Sequence, residues 1–147
     1  MSPTMSSTDN KSHLKAILFL CTGNSCRSQM AEAIVNHYLG DKCQAYSAGT
    51  KPTGYVHPMA IQVLEEIGIQ HNGYSKDVDV FRGKTFNTVI TVCDSAAEEC
   101  PAWLGKGNLE HLGFPDPAKV KGTEQEKLDT FRRVRDEIKQ QILVLFN

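Results

Sequence analysis

The chain of 147 residues has no apolar run near the ~20 residues of a membrane span. Its opening stretch, MSPTMSSTDNKSH, is polar and lacks the apolar core of a secretory signal. Residues 1–13 are therefore expected to be a disordered leader, and residues 14–147 a single domain with one core. Neither sign of charge is in excess, with 16 Lys and Arg against 17 Asp and Glu. That balance offers little to nucleic acid or to an anionic membrane surface, and neither is expected as a partner. No Cys-x2-Cys pair occurs, and His13, His37, His57, His71 and His111 are scattered without ligand-like spacing, so no metal site is expected. The cysteines are Cys21, Cys26, Cys43, Cys93 and Cys100. An odd count without an export signal points to a cytoplasmic protein with its thiols reduced at rest.

What the chain does have is concentrated in residues 16–33, AILFLCTGNSCRSQMAEA. An apolar run suited to a buried strand stops at Cys21. The turn formers Gly23, Asn24 and Ser25 follow, and from Ser28 the sequence favours helix. A strand, a tight loop and a helix start bring several backbone N–H groups around one point, with the positive end of the helix dipole aimed at it. That is a cradle for a tetrahedral oxyanion, formed by Thr22, Gly23, Asn24, Ser25, Cys26, Arg27 and Ser28. Cys21 stands at its start as a nucleophile, in a position expected to lower its pKa. Arg27 offers two parallel N–H groups to the anion's oxygens. Ser28 is placed to donate to the sulfur, Asn24 to brace the loop, and Cys26 to line it.

Further along, residues 42–48, 88–92 and 108–112 read as strands and residues 28–39 as a helix closed by Gly40. His57-Pro58 opens a second helix that ends at Gly68, with His57 as a capping or surface residue. Ser75 or Asp77 is expected to cap a short helix through Phe81, and residues 95–99 to form another. Residues 124–146 carry a strong amphipathic pattern, with Leu128, Phe131, Val134, Ile138, Ile142 and Leu145 on one face. Alternating strands and helices predict an α/β domain, an open four-stranded parallel sheet flanked by helices. Ligands bind such sheets beyond the carboxyl ends of the strands, where Cys21, Cys93 and Asp116 all fall.

The segment CTGNSCRS resembles the Cys-x5-Arg-Ser loop of low-molecular-weight protein tyrosine phosphatases and of the arsenate reductases built on the same fold. Asp116-Pro117 is similar to the phosphatases' general-acid loop. Cys93 and Cys100, flanking a short segment in TVCDSAAEECP, resemble those of thioredoxin-coupled arsenate reductases. The resemblance implies that Cys21 attacks arsenate while Arg27 and the loop amides hold its oxygens and Asp116 donates a proton. Cys93 then attacks Cys21, Cys100 attacks Cys93, and reduced thioredoxin restores the thiols, with no bound cofactor. The resemblance further implies phosphate or sulfate as competing oxyanions, and a monomer is expected by default. Since each disulfide needs Cα atoms about 4.4–6.8 Å apart, the segment from Cys93 to Leu104 must reshape between steps. A phosphatase using Cys21, Arg27 and Asp116, and a non-catalytic oxyanion or redox sensor, are the alternatives. Some relatives hold potassium beside the loop with residues matching Asn24, Glu32 and Ser47. Here Lys76 is expected to take that cation's place and to pair with Glu32.

Overall fold

Residues 17–20 form the centre of the molecule, and Ile17, Leu18, Phe19 and Leu20 have no exposed surface. A strand buried on both faces needs neighbours on both edges and helices above and below, and that is what surrounds it. A computed structural model describes residues 14–93, 100–101, 104 and 108–146. The expected leader at 1–13 and the expected helix at 95–99 lie outside the described residues.

Strand β1 (Lys15–Cys21) pairs in parallel with β2 (Cys43–Gly49) on one edge and with β3 (Thr88–Thr91) on the other. Strand β4 (Asn108–His111) pairs in parallel with β3, giving the order β2-β1-β3-β4. This is the open parallel sheet expected of the sequence. The helices are α1 (Arg27–Tyr38), α2 (Pro58–Glu66) and α3 (Glu124–Leu145), each packed on the other two. Element bounds differ from expectation by a residue or so at each end, where pairing and capping decide. Asp77, not Ser75, caps the short 3-10 helix Val78–Phe81 by accepting from Asp79 N.

The α3 stripe closes the core through Phe131, Val134, Ile138 and Ile142, all essentially inaccessible. Leu128 is only half-buried and Leu145 is 37% exposed, although the pattern assigned both to the inner face. A 22-residue helix is about 33 Å long, whereas a seven-residue strand spans about 23 Å, so the helix overhangs the sheet. Arg135 ties α3 to α2, donating from Nη1 to Val63 O and Glu66 Oε1 at 2.9 Å each. Thr123 and Glu126 form a capping box that fixes where α3 begins.

This topology sets one rim. Cys21 ends β1, Cys93 lies two residues beyond β3, and Asp116 follows β4. Cys21 is paired with Gly49, so the end of β2 runs against the loop that follows Cys21. A Cβ on Gly49 would stand 3.1 Å from Asn24 N and collide with Thr22 O. Only a glycine lets strand and loop approach so closely. Gly49→Ala is expected to cost about 1–3 kcal/mol of stability through this overpacking, read as a lower midpoint in urea; an unchanged midpoint would show that the loop yields freely.

Candidate active site

The loop between β1 and α1 turns on Asn24, which is fully buried and has a φ of 49°. A non-glycine residue in that left-handed region costs of the order of 1–2 kcal/mol unless its side chain is bonded in place. Asn24 Nδ2 donates to Ser28 Oγ (2.8 Å), and Asn24 Oδ1 accepts from Lys76 N (2.9 Å) and Gln29 Nε2 (3.0 Å). Gln29 Nε2 also reaches Asn24 O (3.1 Å) and Tyr74 O (2.9 Å). From the far side Ser75 Oγ donates to Gly23 O at 3.0 Å. Asn24 is thus the expected brace. Gln29 and Ser75, which complete it, had no signal in the sequence beyond polarity.

Helix α1 starts at Arg27 with Cys26 at its N-cap and no side-chain cap bond. Its first N–H groups are left to the mouth of the loop, as an anion site needs. Arg27 Nη1 donates to Phe114 O (3.1 Å), and Nη2 stands 3.5 Å from Asp116 Oδ2. Arg27 Nε is buried and, among the described residues, has no hydrogen-bond partner. The two terminal nitrogens of the expected fork are therefore already engaged, and Nε is the orphaned donor. An oxyanion in the mouth would satisfy it. The cavity there is about 140 Å³ and is lined by Cys21, Ser25, Arg27, His57 and Asp116 among others.

Ser28 Oγ donates to Cys21 Sγ at 3.3 Å, as its place in the sequence suggested. Cys93 is hydrogen-bonded to Cys21. Thr22 Oγ1 lies 3.3 Å from Cys93 Sγ. The hydrogen bond with Cys93 and then burial push the Cys21 thiol well above its ordinary value, against Ser28, the Asn24 amide and Arg27. A lowered pKa was expected from the loop alone. The correction comes from tertiary structure: a second sulfur folds against the first, and two adjacent sulfurs do not both ionise. Burial, reinforced by Asp116, pushes the Cys26 thiol up to about 12. Cys100 is half-buried, its thiol raised by burial.

Asp116 accepts from Ala118 N at 3.0 Å, which starts the 3-10 helix Pro117–Lys119 and holds the carboxylate beside Arg27. His57 does what was expected and more. Its Nδ1 accepts from Met59 N (3.1 Å) to cap α2, its backbone N–H donates to Ser25 O (3.0 Å), and it lines the mouth. Burial holds its pKa down. A second cavity of about 600 Å³ joins Cys93 and Thr22 to Lys51, Lys119 and Asp116. Nothing in the sequence pointed to those two lysines.

Among the described residues no group of three or more His, Cys, Asp or Glu side chains is gathered to hold a metal ion. The potassium position implied by resemblance has another occupant. Lys76 Nζ donates to Tyr74 O (2.8 Å) and Ser47 O (3.0 Å) and lies 4.6 Å from the centre of the Tyr74 ring. Instead of pairing directly with Lys76, Glu32 Oε1 accepts from Ser47 Oγ at 2.6 Å and acts on the ammonium through its field. An ammonium already bonded to these carbonyls leaves the donor set unfit for a second cation.

The parallel sheet, with the Cys21–Arg27 loop at its carboxyl rim, agrees with one family in particular. The chain belongs to it: the family described as low molecular weight phosphotyrosine protein phosphatase matches residues 16–147. Within it, the chain is 48% identical over 129 residues to an arsenate reductase of Halalkalibacterium halodurans, covering 87% of this chain and 92% of that one. It is 46% identical over 127 residues to an arsenate reductase of Bacillus subtilis, covering 84% and 89%. The solved structure of an arsenate reductase in the reduced state superposes with a TM-score of 0.74 at 30% identity, over 90% of this chain and 96% of that one.

Because Cys93 is the largest influence raising the Cys21 thiol, Cys93→Ala is expected to enlarge the Cys21 thiolate fraction at pH 7. Alkylation of Cys21 by iodoacetamide, followed by peptide mass spectrometry, should accelerate severalfold. A slower reaction than in the parent would show that Cys93 assists ionisation.

Proposed function

We propose that this protein reduces arsenate to arsenite by a thiol relay, Cys21 to Cys93 to Cys100, recycled by thioredoxin. One observation carries this reading: a second cysteine, Cys93, is hydrogen-bonded to the nucleophile at the mouth of an oxyanion loop. A phosphatase needs one nucleophile and water. Reduction of arsenic by two electrons needs two thiolates, and a second thiol within reach of the first supplies them. The arsenate reductases similar to this chain support the same choice.

In this reading Cys21 Sγ attacks arsenic, and one oxygen leaves as water after taking a proton from Asp116. The loop amides and Arg27 Nε hold the remaining oxygens. Cys93 Sγ, positioned by Thr22, then attacks Cys21 Sγ. A Cys21–Cys93 bond forms, the sulfur–arsenic bond breaks, and its electron pair stays on arsenic, which departs as arsenite. Cys100 attacks Cys93, the disulfide moves to Cys93–Cys100, and Cys21 is released. The intervening residues 94–99 lie outside the described residues, and their reshaping belongs to the proposal. Residues 14–147 carry the whole activity as a cytoplasmic monomer, with phosphate and sulfate as competitors.

The phosphatase reading keeps one favouring observation, the Cys21, Arg27 and Asp116 set around a cavity of about 140 Å³. Separate Cys93→Ser and Cys100→Ser substitutions decide between the two. With thioredoxin, its reductase and NADPH, arsenate turnover is expected to fall to background in both, while Cys100→Ser still releases one arsenite per enzyme. Sustained arsenate turnover in Cys93→Ser would overturn the relay. Since Lys76 takes the cation's place, the rate in potassium is expected to equal that in sodium at matched ionic strength. A potassium-specific gain would contradict that assignment.

A further inference from the structure

We propose that His57 is a further substrate-binding residue, whose Nε2–H donates a hydrogen bond to an oxygen of the oxyanion held in the mouth of the loop. The inference rests on the reading of residues 21–28 as a cradle for that anion, to which it adds a donor from another element.

The placement of His57 follows from its own bonds. Its backbone N–H donates to Ser25 O at 3.0 Å, which straps the start of α2 to the loop. The side chain then turns back on its own helix, where Nδ1 accepts from Met59 N at 3.1 Å. The ring packs on that of Phe131, itself buried, with centroids 4.7 Å apart, and the Tyr55 ring lies 6.5 Å away. The imidazole is thus held in place before any ligand arrives.

The bond from Met59 also decides the chemistry of the ring. A nitrogen that accepts from a backbone N–H carries no hydrogen, so in the neutral imidazole the hydrogen sits on Nε2. Burial pushes the His57 pKa down while Asp116 opposes it, which keeps the neutral form in place near pH 7. Protonation would set a second N–H against that of Met59 and remove the cap from α2. Nε2 is therefore a standing donor. Among the described residues, Nδ1 is the only ring nitrogen of His57 in a hydrogen bond.

His57 lines the cavity of about 140 Å³ together with Cys21, Arg27 and Asp116. With Nδ1 turned to α2 and the ring laid on Phe131, Nε2 is the polar atom left for that cavity. The Asp116 carboxylate is turned elsewhere, Oδ1 accepting from Ala118 N and Oδ2 facing Arg27 Nη2. Arg27 Nε, at the same cavity, is buried and has no partner among the described residues. Two donors from the starts of α1 and α2 thus lack acceptors around one small space beside a cysteine. A tetrahedral anion has oxygens enough for both.

The experiment follows the ring nitrogens of the full, reduced, isotope-labelled chain by NMR as sulfate is added, with His57 assigned through its own backbone signals. The ring is expected to be the Nε2–H form, and its Nε2 signal to shift until sulfate saturates. His57→Asn and His57→Ser keep an acceptor that caps α2 but end short of the position of Nε2. Each is expected to bind sulfate about fivefold more weakly by calorimetry, the ratio one ordinary hydrogen bond supplies, and to raise the arsenate KM alike while keeping the parent's urea midpoint. A hydrogen on Nδ1, ring signals indifferent to bound sulfate, or parent-like affinity in both variants overturns the proposal; should neither variant fold, the parent's spectrum decides it. An Arg27→Ala control separates the two readings. If it loses sulfate while both His57 variants keep it, the cradle stands and His57 alone is dismissed; if it binds sulfate as the parent does, the cradle is misassigned and this inference falls with it.

Discussion

The site depends on keeping one asparagine in a conformation that asparagine adopts only under constraint. Asn24 turns the chain through a positive φ in the middle of the loop that follows the first strand, where it has no exposed surface. The left-handed conformation alone is unfavourable by about 1–2 kcal/mol. Bonds from Ser28, Gln29 and Lys76 offset it. They come from the helix that follows the loop and from a segment some fifty residues later. The loop's shape is therefore a property of the packed domain, held by the Ser28 and Gln29 side chains of the following helix and by the Lys76 backbone amide.

The same packing governs the sulfurs. Ser28, the Asn24 backbone amide and Arg27 all favour a thiolate at Cys21, whereas the adjoining Cys93 and burial oppose it. The opposition is the consequence of having two thiols side by side, since neighbouring thiols compete for a single negative charge. Cys26, next to Arg27 in the chain, feels burial more than the cation, and its pKa is pushed up to about 12. Reactivity in this loop is thus assigned by contacts and not by the mere presence of sulfur.

Much of the architecture was legible beforehand because it rests on local patterns. The continuous apolar run at 17–20 could only be a strand covered on both faces, and Pro58 after His57 marked a helix start. Asp116 before Pro117 announced its own turn, which its carboxylate does cap. Where the pattern misled, geometry explains it. Leu145 keeps the helical spacing of the inner stripe, but α3 outruns the sheet it covers. Lys76 was expected beside Glu32 as its ion partner and instead bonds two backbone carbonyls, because Ser47 already holds that carboxylate.

The sequence by itself determined the order of strands and helices, the cysteine at the end of the first strand, and the arginine six residues after it, across a loop that holds Gly23, Asn24 and Ser25. These depend on hydrophobic period, turn chemistry and spacing along a single stretch of chain. Only the tertiary structure decided that Cys93 touches Cys21, that Arg27 engages both terminal nitrogens while its Nε has no partner among the described residues, and that Gln29 and His71 stand behind Asn24. Each of those facts joins residues from separate elements, and a contact of that kind is set by how strands register and helices pack, which no local pattern encodes.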